Sequence, residues 1–249
     1  MAARQGPPTT DDALRLEGLH RAKKHQRLCL EGATACSKPE EKASLWEAFV
    51  EVADNNSHRP AVEDSFGCSW TYSELHAAAM RVATGLAPLL CPTGDCQAAA
   101  ITAVLTRRDC SWLAVCLAAM RVSSPLLALS ADVQSEGEVE RTKRALAEHR
   151  PAVVVLDKHL CNKPAAAPVL QAHGENGGTP HGLLVVYVED LLTTSGLSIP
   201  PHVCNPDHAL YLVYTGGSTS ACKSVAVTHR MAMHELGVYP QLAELRASD

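Results

Sequence analysis

Leu45, Phe49 and Val52 recur at four- and three-residue steps, the first sustained period along the chain, and predict a short amphipathic helix ending near Asp54. Residues 1 to about 43 are polar with little periodicity and read as a tail, with a short helix around Leu14 to Leu30. Two runs, Pro60 to Asp64 and Cys68 to Thr71, flank Ser65-Phe66-Gly67 and predict a hairpin. Thr71-Tyr72-Ser73-Glu74 then has capping-box spacing, so Glu74 reads as a structural cap rather than a catalytic acid. Tyr72, Leu75, Ala79, Val82, Leu86 and Leu89 follow as one buried stripe, and Pro92 ends that helix.

After a turn at Thr93-Gly94-Asp95 the pattern changes. Ala98 to Leu105, Pro125 to Leu129 and Ala152 to Leu156 are continuous apolar runs, as expected of strands covered on both faces. Helical patterns from Cys110 to Arg121 and from Glu136 to His149 separate them. The alternation predicts an α/β fold with an open, largely parallel sheet flanked by helices. Residues 158 to 181 are rich in Pro, Gly and Ala and read as a low-complexity surface insertion. Strands are expected again at Leu183 to Val188, Ala209 to Val213 and Val225 to His229, then a helix from Met231 to about Leu245. The expected organisation is a tail over 1–43 and one domain over 44–249.

Composition removes several function classes. A net charge of −5 with no long basic run leaves nucleic-acid binding without an electrostatic footprint. No apolar run reaches the roughly 20 residues that span a bilayer. The first 24 residues lack the apolar core of a secretory signal. Ten cysteines lie scattered with no Cys-x-x-Cys pair, and Cys110 and Cys116 fall on apolar helix positions, where a reduced thiol packs as a small hydrophobe. Reduced, soluble and cytoplasmic is the expectation. The twelve histidines show no ligand spacing of the zinc type.

One segment carries chemistry. Tyr214-Thr215-Gly216-Gly217-Ser218-Thr219-Ser220-Ala221-Cys222-Lys223 directly follows an apolar strand. Glycines and hydroxyls there can converge amides and side chains on anionic oxygens, with Lys223 adding a point charge. A flexible Gly/Ser connection between strands explains the same composition equally well. The segment has neither the Gly-x-Ser-x-Gly elbow of a hydrolase nor the Gly-Lys-Ser/Thr of a P-loop. Arg107, Arg108 and Asp109 form a polar cluster at a strand end, a position where ligands bind in open α/β sheets, but read here as a solvated loop.

Asp207 to Thr215, continuing through Val227-Thr228-His229-Arg230, resembles the phosphate-loop signature of the acyl- and aminoacyl-adenylate-forming (AMP-forming) ligase superfamily. Thr71 to Leu75 with its Ala-rich helix is similar to that family's first core motif, and Trp112 to Ser130 to its second. The resemblance implies the N-terminal subdomain of an adenylate-forming enzyme. It implies ATP as substrate with Mg²⁺, attack of a carboxylic acid on the α-phosphate, and transfer to a thiol of coenzyme A or a phosphopantetheine carrier. Thr215, Gly216, Gly217, Ser218, Thr219, Ser220 and Lys223 would then bind phosphate. His229 matches the family's Thr-His pair and is implied to be a structural hydrogen-bonding residue rather than a base.

The chain departs from the family at several points. Gly216 stands for the usual Ser, Ser220 for Gly, Cys222 for Pro and Ser224 for Gly, and Val122-Ser123 replaces a Gly-Gly pair. The family's adenine, ribose and catalytic-lysine motifs are not found between Arg230 and Asp249. The expectation is therefore a truncated domain with an incomplete reaction; the alternative is an inactive remnant acting at most as a binding module.

Overall fold

The computed structural model describes residues 44–90, 100–132, 135–176, 182–196, 199, 201–215 and 223–242. The tail before Ser44, the turn at 93–95 and the chain's last seven residues lie outside them. Contacts divide the chain into one unit, Lys42–Ala232, and a second that combines Met1–Glu41 with Met233–Asp249. Of the second unit only residues 233–242 are described, and they are helical.

The first helix, α1 (Leu45–Asn55), starts at Ser44, whose Oγ accepts from the Glu47 amide at 3.2 Å. Its buried residues are Trp46 and Ala53, with Phe49 and Val50 packed beside them, whereas Val52 is exposed. The buried stripe is thus rotated one position from Leu45 and Val52, because Trp46 carries the largest apolar area on the helix. A two-stranded sheet follows, β1 (Pro60–Glu63) antiparallel to β2 (Ser69–Thr71). Helix α2 (Tyr72–Leu90) opens on the capping box: the Thr71 amide donates to Glu74 Oε2 at 2.8 Å, and the Glu74 amide donates back to Thr71 Oγ1 at 3.3 Å. Leu75, Ala79, Val82 and Leu86 are buried along its expected stripe.

Six strands, β3 (Thr102–Leu105), β4 (Leu126–Ala128), β5 (Val153–Leu156), β6 (Leu184–Tyr187), β7 (Ala209–Thr215) and β8 (Lys223–Thr228), form the main sheet. Their order is β6-β5-β3-β4-β7-β8, all parallel until β8 turns back antiparallel on β7. Strands β3 (Thr102–Leu105) and β5 (Val153–Leu156) are buried at every position because helices cover both faces. Val104, Val153 and Val155 face α2, α3 (Cys110–Arg121) and the short α6 (Val188–Leu191). Ala103, Leu105, Val154 and Leu156 face α4 (Glu136–His149) and α5 (Ala167–Asn176). Each buried valine or leucine among them contributes roughly 1.5–3 kcal/mol by leaving water.

Residues 158–176 differ from the expected insertion. They form a 3₁₀ turn (Lys158–Leu160) and then α5, and Ala165, Ala166 and Val169 are fully buried. The parallel pairing of β5 with β6 (Leu184–Tyr187) demands a crossover that covers the sheet, and this small-residue stretch supplies it.

Helix α3 ends in a Schellman motif: the Ser124 amide donates to Ala119 O at 2.9 Å and the Ser123 amide to Met120 O at 3.1 Å. Ser123 sits at φ +55°, the left-handed position that glycine occupies without cost. This is where Val122-Ser123 replaces Gly-Gly. The chain then enters β4 (Leu126–Ala128), so α3 returns the chain to the edge of β3.

Candidate functional site

The expected phosphate segment lies at the carboxyl end of β7 (Ala209–Thr215), where a hairpin leads into β8 (Lys223–Thr228). The ladder pairs Tyr211 with Val227, Val213 with Val225, and Thr215 with Lys223. Thr215 and Lys223 therefore stand opposite each other at the mouth of the connection, with Lys223 exposed. Gly216, Gly217, Ser218, Thr219 and Ser220 lie outside the described residues. Tyr214 fixes the approach: its hydroxyl donates to Glu148 Oε2 at 3.1 Å, and its ring meets His149 edge-on at the end of α4.

The base of the hairpin is tied as well. Arg230 donates from Nε and Nη2 to the two carboxylate oxygens of Asp207 at 2.7 and 3.0 Å. Its amide donates to Pro206 O at 2.8 Å, and Thr228 Oγ1 accepts from the Met231 amide to cap α7 (His229–Leu242). His229 is buried at this junction, and burial pushes its pKa down. Its Nδ1 has no partner among the described residues.

A cleft of about 690 Å³ opens beyond the carboxyl ends of β3 and β4. Connections from β3 and β5 leave toward opposite faces of the sheet here, the arrangement that creates a crevice in open α/β sheets. Thr106, Arg107 and Arg108 wall it from β3, Leu129 and Ser130 from β4, and Lys163 from beyond β5. Among the described residues, Lys223 does not line this cleft.

Among the described residues, three basic side chains, Arg107, Arg108 and Lys163, and one acidic one, Asp132, line the cleft. Arg107 Nε donates to Asp157 Oδ2 at 2.8 Å, and its guanidinium lies 5.1 Å from the Phe66 ring centre. Burial raises the pKa of Asp157, but the bond from Arg107 and the His159 amide outweigh it and hold the carboxyl below its ordinary value. Arg108 stacks over Trp112 at 5.1 Å. Asp109 caps α3 by accepting from the Trp112 amide at 3.1 Å. Thr106 Oγ1 is buried and unpartnered among the described residues.

Arg107-Arg108-Asp109 is solvated in part, as expected from its polarity, with Arg108 exposed and the Arg107 side chain 37% exposed, but it is also structured. Each side chain is engaged, and the partner that organises Arg107 lies 50 residues on, beyond the reach of local pattern. The one legible signal was position, at the end of an apolar strand. Asp157, His159 and Glu189 also bring ligand atoms within 4.8 Å of one another. The Asp157 carboxylate already serves Arg107 and the His159 amide, and that of Glu189 accepts from the Lys158 amide.

Residues 49–248 match the family described as AMP-binding enzyme. The chain belongs to that family. Among curated proteins it is 25% identical over 238 residues to phenyloxazoline synthase MbtB of Mycobacterium tuberculosis, covering 96% of this chain and 15% of that one. Among solved structures it resembles ATP-bound MatB from Rhodopseudomonas palustris, with 21% identity and a TM-score of 0.61 over 79% of this chain and 37% of that one. It also resembles the N-terminal subdomain of Klebsiella oxytoca NpsA in complex with 3-hydroxybenzoyl-AMSN, with 16% identity and a TM-score of 0.59 over 80% and 44%. The chain spans 5–15% of the length of the curated relatives it matches. The chain therefore has the fold of an adenylate-forming N-terminal subdomain, a mixed α/β layer structure with a mostly parallel sheet. No helix among the described residues is long and apolar enough to cross a membrane.

Proposed function

We propose that this chain carries the phosphate-binding part of an ATP-dependent, acid-activating ligase, within a partial adenylation domain over residues 44–249. The reaction is attack of a carboxylate on the α-phosphate of ATP with loss of pyrophosphate. The activated acyl group then passes to a thiol, of coenzyme A or a phosphopantetheine carrier, and the setting is cytoplasmic. MatB and NpsA support this reading, the first bound to ATP and the second to an acyl-AMSN.

The carrying observation is the register of β7 and β8. Pairing of Thr215 with Lys223 closes a hairpin at the carboxyl edge of a parallel sheet, the edge at which such folds bind ligands. In this reading Thr215, Gly216, Gly217, Ser218, Thr219, Ser220 and Lys223 bind the β- and γ-phosphates. Mg²⁺ alongside would neutralise phosphate charge. Gly216 and Ser220, standing for Ser and Gly, favour a second reading in which nucleotide binding is weak or lost.

Calorimetric titration with MgATP and with pyrophosphate tests the proposal on the wild type, Lys223→Ala and the double repair Gly216→Ser/Ser220→Gly. Loss of binding in Lys223→Ala and a gain in the repaired loop are expected, since a bond to a charged group contributes roughly 1.5–3 kcal/mol. Equal binding by wild type and Lys223→Ala would make the segment a plain Gly/Ser connection.

A further inference from the structure

Away from the hairpin, one arrangement of side chains joins two elements far apart in sequence. Asp64 and Cys68 flank the β1–β2 turn, and Cys110 is the first residue of α3. The Asp64 carboxylate and both sulfurs lie within 4.8 Å of one another. Asp64 makes the join: Oδ1 accepts from the amides of Phe66 at 2.9 Å and Cys68 at 3.0 Å, while Oδ2 accepts from the Cys110 amide at 3.2 Å. The Cys110 thiol donates to Cys68 O at 3.4 Å, across 42 residues of sequence. Two thiols are thus held side by side by bonds to a third residue, before any bond between them.

The two sulfurs have different environments. Cys68 is exposed, and Cys110 is buried. Burial first, then Asp64 and Cys68, push the Cys110 thiol up to about 12. An accessible sulfur beside a buried one suits a division between attacking and resolving roles.

We propose that Cys68 and Cys110 form a reversible disulfide that ties the β1–β2 turn to the start of α3. The Cys68 thiolate attacks one sulfur of a small-molecule disulfide, whose S–S bond breaks and releases one thiolate. Cys110 loses its proton to solvent and attacks Cys68 Sγ in the mixed disulfide. The second small thiolate leaves and takes up a proton. The protein's two thiols are oxidised by two electrons and the small disulfide is reduced to two thiols. Side-chain rotation must bring the sulfurs to the bonded distance of about 2.05 Å.

The same three residues offer two sulfurs and one oxygen, a donor set that zinc accepts. Three of the roughly four acceptor positions of the Asp64 carboxylate are already taken by amides, which favours the sulfur–sulfur bond. The bond would also set one wall of the cleft, because Phe66 and Trp112 line it two residues from each cysteine.

The full chain, incubated in mixtures of oxidised and reduced glutathione, acid-quenched and alkylated, is read by peptide mass spectrometry. A Cys68–Cys110 cross-linked peptide that disappears with dithiothreitol is expected. Cys110→Ser should accumulate glutathione on Cys68. Closure should accelerate roughly tenfold per pH unit from about pH 7 to 9, as the Cys110 thiolate fraction grows. The oxidised protein should melt roughly 5 °C or more above the exposed-site variant Cys68→Ser treated alike. Glutathione that stays on Cys68 in the wild type, with no cross-linked peptide at full oxidation, overturns the proposal. So does stoichiometric protection of both thiols from alkylation by Zn²⁺ with no disulfide forming, which assigns the triad to a metal instead.

Discussion

Arg107 Nε meets Asp157 Oδ2 at 2.8 Å and so joins the carboxyl ends of β3 and β5, with Arg107 lining the cleft. Asp157 is 1% exposed, while the arginine side chain is 37% exposed and partly screened by solvent. Removing the carboxylate in Asp157→Ala also frees the His159 amide, and should cost about 2 kcal/mol in chemical denaturation. The pH dependence has a definite sign. A carboxyl held below its unfolded value contributes stability above about pH 4 and loses it as pH falls through the folded value. Unfolding curves from pH 6 to pH 2.5 should show a smaller acid loss in Asp157→Asn than in the wild type.

His202 gives the opposite end of the pH range. One ring nitrogen contacts Arg121 O at 3.0 Å and the other Ser44 Oγ at 2.9 Å, a neutral imidazole bridging α1 and α3. Burial lowers its pKa and that of His229. Folded histidines that resist protonation contribute full stability above about pH 6.5 and lose it as pH drops from there toward the folded value. Denaturant midpoints at pH 7.5 and 5.5 should therefore fall on acidification, and His229→Asn should flatten the difference.

Ser44→Ala removes the α1 cap and strands one nitrogen of His202 at a site where Ser44 has no exposure. A loss of about 1–2 kcal/mol is expected. Thr as the replacement should restore most of it, which thermal melts of the three proteins would read directly.

Arg150 closes α4 at φ +45°, its amide donating to Leu146 O at 2.9 Å while its side chain is exposed. Arg150→Gly should stabilise the protein by about 1 kcal/mol, since glycine adopts that conformation without a Cβ clash. Ser123→Gly relieves the same strain but forfeits the bond from Ser123 Oγ to Val203 O at 2.7 Å, so its gain should be smaller. Parallel denaturation of both variants separates the two effects.

Much of this architecture was legible because the information is local. The cap at Glu74, the span Cys110–Arg121 and the span Glu136–His149 each follow from spacing within a few residues. The replacement of a glycine pair by Val122-Ser123 was legible, but not the left-handed turn that Ser123 makes there. What could not be read were pairings across the fold: Asp157 with Arg107, His202 with Ser44, Asp64 with Cys110. The Ala- and Pro-rich stretch after Lys158 misled for another reason. Small residues also suit a helix packed closely on a sheet, and only the burial of Ala166 and Val169 distinguishes that from a loop. For the candidate site, the strands on either side were expected and Thr215 opposite Lys223 is observed, whereas the residues between them remain a proposal about chemistry.

The antiparallel return of β8 has a kinetic consequence. Tyr214 and Ser224 are neighbours across a short connection, so the β7–β8 hairpin can zip from its own end. Joining it to the rest of the sheet is a different event, because Leu126 must find Tyr211 across some 85 intervening positions. Closing so long a loop costs conformational entropy before any contact is returned. The segment nominated for phosphate is therefore attached to a unit that can assemble early and dock late, and the docking step sets when the sheet edge becomes complete.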